Sequence, residues 1–244
     1  MSEREHNDGT GAAAPPRPGD VRWPLVVRLQ LSTAVMTGLL VFVPAGRIAW
    51  GRGWLFVAAV EALFVGSLVY LRRANPGLFT ARRGIHRRTK RWDKILLAFM
   101  LPATIGTLPV AAADAGRFGG SPMAWPVVVL GYVLLVAGWT LTTWAQGANR
   151  FFEVGVRIQD ERGHRVIDGG PYAIVRHPGY AASFGLLAGM ALALGSWWAL
   201  IPAAVASVLL VLRTALEDRT LRAELPGYAA YARRVRFRLI PGLW

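Results

Sequence analysis

The chain has 244 residues, 54% of them apolar and 17% charged, with a mean hydropathy of +0.36 and a formal net charge of +14. That balance excludes an ordinary soluble domain, which carries more charge for its length. The absence of cysteine excludes disulfides, thiolate catalysis and cysteine-bound metal or iron–sulfur centres.

The head, residues 1–22, opens "MSEREHNDGTGAAAPPRPGD" and is rich in Gly, Ala, Pro and charge. Such a segment buries too little apolar surface to order itself and is expected to be disordered. It also lacks the apolar core of a signal peptide. Four apolar stretches follow, at 24–43, 53–71, 95–113 and 124–145. Each approaches the ~20 residues that cross a hydrocarbon core. Together they predict a four-helix transmembrane scaffold over 23–146. After the polar loop at 147–178 comes a run from Tyr180 to Leu212 with Gly195-Ser196 in its middle. At about 33 residues it is too long for one span, which predicts a helical hairpin, or two short spans, turning at that Gly-Ser. The fold class is therefore all-α integral membrane, with five to six transmembrane helices including a C-terminal hairpin. The region 147–244 (loop, hairpin and basic tail) forms a second unit.

The basic residues report topology. Segments 72–94, 147–178 and the tail from Arg213 hold nine, five and seven of them, while 44–52 and 114–124 hold two and one. This alternation follows the positive-inside rule. It predicts a cytoplasmic N-terminus, catalytic loop and C-terminus, in the plasma membrane if the source is bacterial. With a topological cause for the charge, a nucleic-acid partner is not expected. The partners expected instead are the bilayer and a lipophilic acceptor, and the sequence leaves the oligomeric state open. The four histidines, His6, His86, His164 and His177, are far apart and never four residues from one another, so no metal site is expected.

Several single features have competing readings. Glu61 lies mid-span and either pairs with Arg28 of the first span or lines a channel. "GLLAG", Gly185 to Gly189, reads as a helix-packing face. Trp197-Trp198 reads as an interfacial anchor, and His164 as a solvated loop residue.

The chemistry concentrates in "GGPYAIVRHPGYAASFG", residues 169–185, which crowds cationic and phenolic groups just before an apolar run. Pro178 biases His177 to extended backbone and suits the first turn of a helix. Arg176 and Tyr180 read as interfacial anchors, or as part of an anion site at a helix N-terminus; the two readings balance. Arg213 and Glu217 stand four apart on one helix face, either as a terminal ion pair or as a carboxylate-recognising fork.

The ordered set "GGPYAIVRHPGY", a hairpin, "RTALEDRTL", "YAAYARRV" and a closing "RLIP" resembles the isoprenylcysteine carboxyl methyltransferase family, a relative of the membrane phospholipid N-methyltransferases. The likeness covers about residues 147–244. It implies S-adenosyl-L-methionine as cofactor and methyl transfer at the cytoplasmic membrane face to a lipophilic acceptor, a carboxylate of the isoprenylcysteine type. By the same resemblance Tyr172, Arg176, His177, Pro178, Tyr180 and Asp218 bind the cofactor, and Arg213 and Glu217 are catalytic. Asn149 and Tyr231 stand at the substrate rim. Asp218 departs from the family's usual Glu by one methylene, and "LPGYAAY" is one residue longer than the usual segment before its first tyrosine.

The residues are consistent with that chemistry. Methyl transfer from a sulfonium is an in-line displacement, in which positioning and electrostatics carry most of the catalysis. An ionised carboxylate needs no base but does need an oriented cation, which Arg213 supplies if Glu217 holds it. A thiol or amine acceptor would instead give its proton to Glu217. Two other readings compete. "RLIPGLW" resembles the end of the NADPH-dependent sterol-type membrane reductases, and Glu61 with Arg28 would suit a small transporter or scaffold.

Overall fold

The computed structural model describes residues 21–81 and 86–244. The head expected to be disordered lies outside the described residues up to position 20, as do 82–85 of the first basic loop. The last two residues of that head, Val21 and Arg22, are described: Val21 is buried, and its carbonyl accepts a hydrogen bond from Arg72 Nε at 3.0 Å.

The described residues form helices and no strand. They are α1 (Trp23–Ala45), α2 (Gly51–Ala74), a single turn α3 (Leu78–Ala81), α4 (Arg91–Ala111), α5 (Trp125–Ala148), α6 (Pro178–Leu194), α7 (Leu200–Glu224) and α8 (Tyr228–Arg234). A π-helical stretch, Ala112–Phe118, prolongs α4. Five helices are long and apolar enough to cross a membrane: α1, α2, α4 with its extension, α5 and α7. The 17-residue α6 is about 26 Å long and is the shorter arm of the hairpin. The expected all-helical membrane fold is what the chain adopts.

Their outer faces are greasy because lipid, not water, is to touch them. On α1, Val27, Leu31, Val35, Leu39 and Val43 recur every four residues, all more than half exposed. A soluble surface does not sustain such a stripe. Between apolar helices in apolar lipid, close backbone approach and polar contacts must do the gluing. The α5–α6 interface shows the first: a Cβ on Gly131 would lie 2.3 Å from the backbone nitrogen of Ala193, and one on Gly189 would lie 2.5 Å from that of Leu135. The α2–α5 interface shows the second, where Ser67 Oγ meets Thr143 Oγ1 and Trp139 Nε1, each at 2.8 Å.

The hairpin turns where expected. Gly195 adopts φ +84°, a conformation open mainly to glycine, and ends α6. Buried Asp114, from the π-helical stretch, ties this turn down by accepting from Ser121 Oγ at 2.5 Å and Ser196 Oγ at 2.6 Å. Trp197 and Trp198 stand exposed just beyond. The Glu61–Arg28 pairing does not form. Arg28 is exposed, and Glu61 pairs instead with the Gln30 side-chain amide. Positions 28 and 30 lie about 200° apart around a helix, so only one of them faces α2.

Candidate active site

A cavity of about 320 Å³ opens where the α6 N-terminus, α7, α8 and the 149–168 strap converge. Pro178 occupies the first turn of α6, where its missing N–H costs nothing, and His177 precedes it at φ −126° and ψ 63°, neither helical nor fully extended as expected. The residues before it pair with the tail: Arg176 N–H donates to Phe237 O at 3.0 Å and His177 N–H to Arg238 O at 2.9 Å. Helix α7 passes the expected end at Leu212 and runs on to Glu224, which carries Arg213, Glu217 and Asp218 beside that junction.

The side chains sort into a cup and a clamp. In the cup, the Tyr180 hydroxyl donates to Glu217 Oε2 at 2.6 Å, and the Tyr180 ring stacks parallel to His177 at 5.7 Å between centroids. The Arg213 guanidinium carbon also lies over that ring, 5.3 Å from its centroid. Asn149 Nδ2 donates to the Tyr172 hydroxyl at 3.2 Å, and the Tyr231 hydroxyl to Tyr172 O at 2.7 Å. Burial pushes the phenols of Tyr172, Tyr228 and Tyr231 above their ordinary range, so they stay neutral. Asn149, Tyr172, Arg176, His177, Tyr180, Arg213, Glu217 and Tyr231 all line the cavity.

The clamp lies behind it. Arg176 donates through Nε to Asp218 Oδ1 at 2.7 Å and through one terminal nitrogen to the carbonyls of Val235 and Arg236, each at 2.8 Å. Asp218 also receives Arg222 Nε at 3.0 Å, Arg238 Nε at 3.1 Å and the Tyr228 hydroxyl at 3.0 Å. With 1% of its surface exposed, Asp218 does not line the cavity, and neither does Pro178. Of the residues expected at the cofactor, these two stand behind the cavity wall: Pro178 starts the helix, and Asp218 holds Arg176 and the tail in place.

A correction concerns Arg213. Glu217 does not hold it. Arg213 forks onto Asp93 of α4, Nε to Oδ1 at 2.7 Å and a terminal nitrogen to Oδ2 at 3.2 Å, and also donates to Val154 O at 2.5 Å. Asp93 Oδ2 accepts from the backbone N–H of Val156 at 2.7 Å as well, so one fully buried carboxylate joins α4, α7 and the strap.

The strap itself is a built structure. Arg157 is buried and makes a two-bond fork to Glu153, both at 2.8 Å, with a third bond to Glu161 at 2.5 Å. Its guanidinium is held charged, first by the Glu153 hydrogen bond, against the opposing effect of burial. His164 is not a solvated loop residue. It lines the cavity, lies against Phe151 at 4.5 Å between rings, and accepts from the Gln159 backbone N–H through Nδ1 at 3.3 Å. Burial, then repulsion by Arg157, lowers its pKa from the ordinary 6.5.

Residues 126–225 match the family model described as phospholipid methyltransferase. That stretch is similar to the phospholipid methyltransferase family. The match covers about two fifths of the chain, and no curated protein matches the sequence. It starts at α5, earlier than the 147 boundary read from the sequence, and includes the strap, the hairpin and the whole of α7. The five apolar helices give a multi-pass membrane protein, and the matched stretch is similar to a family of methyltransferases. Asp93, Leu97, Met100 and Leu101 of α4 lie outside the matched stretch, yet Asp93 holds Arg213 and the three apolar residues line the cavity. Helix α4 of the expected scaffold thus also contributes to the cavity wall.

Proposed function

We propose that the protein is an integral membrane methyltransferase that takes S-adenosyl-L-methionine and a lipophilic acceptor into this cavity, from the membrane face that carries the basic loops. The cavity's chemistry fits such a cofactor. Neutral phenols and the Asn149 amide offer a polar cup for adenosine and an amino-acid end, and the Glu217 carboxylate suits a sulfonium cation. The apolar wall of Leu97, Met100 and Leu101 suits a lipid chain. When bound, the cofactor supplies a methyl group on a positively charged sulfur. The chain's own residues then supply position: Tyr180 holds Glu217, His177 stacks on Tyr180, and Asp93 fixes Arg213 against the same ring.

The acceptor implied by the isoprenylcysteine resemblance is a carboxylate, with Arg213 orienting it. One observation favours a second acceptor. Two of the Arg213 nitrogens are already committed to Asp93 and Val154, so the arginine's charge is largely balanced, whereas Glu217 faces the cavity with a phenol as its partner. A cup with a spare negative charge suits an acceptor that arrives with a proton, an amine or a thiol, and Glu217 is placed to take it. The observation that carries the reading as a whole is the convergence of Tyr180, His177, Arg213 and Glu217 on one cavity within the matched stretch.

The test is transfer of a tritiated methyl from S-adenosyl-L-methionine into the organic-extractable fraction of membranes holding the full chain. Incorporation is expected with the wild type and should fall at least tenfold with Glu217→Gln. Label released by mild alkali as methanol identifies a carboxylate acceptor; alkali-stable label identifies an amine or thiol. No incorporation, with NADPH consumed instead, would transfer the site to the reductase reading.

A further inference from the structure

The outer side of α7, turned away from the cavity, carries a second feature that the methyl-transfer reading does not use. A shallow groove is lined by Ala215, Arg219, Arg222, Ala223 and Arg238, with Asp218 at its floor. Arg222 and Arg238 both reach Asp218 Oδ2, while Arg176 takes Oδ1 from the other side. Arg219 is exposed and has no carboxylate within ion-pair distance among the described residues. Three guanidinium groups therefore share one buried carboxylate and Arg219 adds a fourth positive charge, which leaves the groove with an excess of positive charge.

The same helix says what should neutralise it. Ile201, Val205, Val208 and Leu212 follow one another at steps of four, three and four, and all are about half exposed or more. Continuing those steps leads through Ala215 to Arg219 and Arg222, so a single face of α7 changes from lipid-exposed apolar to cationic within two turns. Exposed Ile240 and Leu243 of the tail add apolar surface to the same membrane end. An acyl chain lying along the apolar part brings its headgroup phosphate to the arginines. Arginine forks suit phosphate oxygens, and cationic side chains at the headgroup level attract anionic lipid.

We propose that this groove is a binding site for one anionic phospholipid, its phosphate held by Arg219, Arg222 and Arg238 and its chains by the apolar face of α7. Because Arg222 and Arg238 also hold Asp218, occupancy changes how firmly Asp218 holds Arg176, and so ties the lipid site to the cavity wall. The proposal does not depend on methyl transfer, and its test uses no methyl donor.

The experiment is native mass spectrometry of the full chain in detergent, given equal amounts of phosphatidylglycerol and phosphatidylcholine. One phosphatidylglycerol per chain is expected to be retained in preference to phosphatidylcholine. Arg219→Glu should lower that retention at least fivefold, since one arginine near an anionic surface is worth about fivefold in binding. Arg219 touches no carboxylate, so its charge reversal leaves the clamp in place, and Arg222→Gln should act in the same direction. Arg117→Gln, at the opposite membrane end, should change nothing. Equal retention of the two lipids by the wild type, or unchanged retention by Arg219→Glu, overturns the site. Displacement of phosphatidylglycerol by millimolar inorganic phosphate, with no lipid preference left, would make it a phosphate site and overturn the lipid.

Discussion

Aspartates are buried at both ends of the α6–α7 hairpin, one at the turn and two at the open end, and the contrast separates holding from doing. At the turn, Asp114 is met by two serine hydroxyls, and the surrounding contacts simply close the loop. At the open end, Asp218 and Asp93 are met by arginines, and a cavity with a free-facing carboxylate lies between them. A carboxylate satisfied by hydroxyls needs few neighbours. One satisfied by guanidinium groups fixes large planar side chains, and those side chains become the wall of a site. The charged end also costs more to break.

The largest effects should come from breaking that end. Asp218→Ala takes the carboxylate from buried Arg176 and Asp93→Ala takes it from Arg213 and the Val156 N–H, each costing about 3–5 kcal/mol, the range for an uncompensated buried charge. Thermal unfolding in detergent reads this. Next is the joint between the ends: Gly189→Ala places a methyl against the Leu135 backbone and should cost about 1–3 kcal/mol through overpacking. Asp114→Asn keeps an acceptor for the serines and should cost about 1 kcal/mol, the worth of one weakened hydrogen bond, with no effect on ligand binding.

The smallest effect sharpens the contrast by pH. His164 has a folded pKa below 6.5 because burial and Arg157 disfavour its charged form, with Glu153 and Asp160 opposing and Arg162 adding to the repulsion. The unfolded chain therefore binds the extra proton first. The stability His164 contributes is complete above pH 6.5 and declines as pH falls below that value towards the folded pKa. Unfolding midpoints between pH 7.5 and 5.5 should fall in the wild type and fall less in His164→Phe.

Much of this was legible before the structure, for identifiable reasons. Span limits follow hydropathy, and α1, α2, α4 and α5 begin and end within a few residues of the apolar stretches. Gly195 announced the turn because a left-handed cap favours glycine. The grouping of Tyr172, Arg176, His177, Tyr180, Arg213 and Glu217 followed from an ordered motif set. The misses are all long-range pairings. Asp93 looks like an ordinary acidic residue in the first turn of a helix, and its partner Arg213 stands 120 positions away. Nothing local distinguishes it. Arg213 and Glu217 share a helix face, which suggested a pair, but the better donor geometry lay across the bundle. Glu61 met Gln30 in place of Arg28 because helix phase, not charge, decides who faces inward. His164 looked solvated because a loop with five charged neighbours reads as surface, yet its ring packs against Phe151.

The most direct test of the central claim is calorimetric binding of S-adenosylhomocysteine to the detergent-purified full chain, wild type beside Glu217→Gln, His177→Ala and Asp114→Asn. The account predicts binding by the wild type and by Asp114→Asn with equal affinity, and at least tenfold weaker binding by the two cavity variants with their helical content unchanged. No binding by the wild type, or the same loss from Asp114→Asn as from Glu217→Gln, would contradict it.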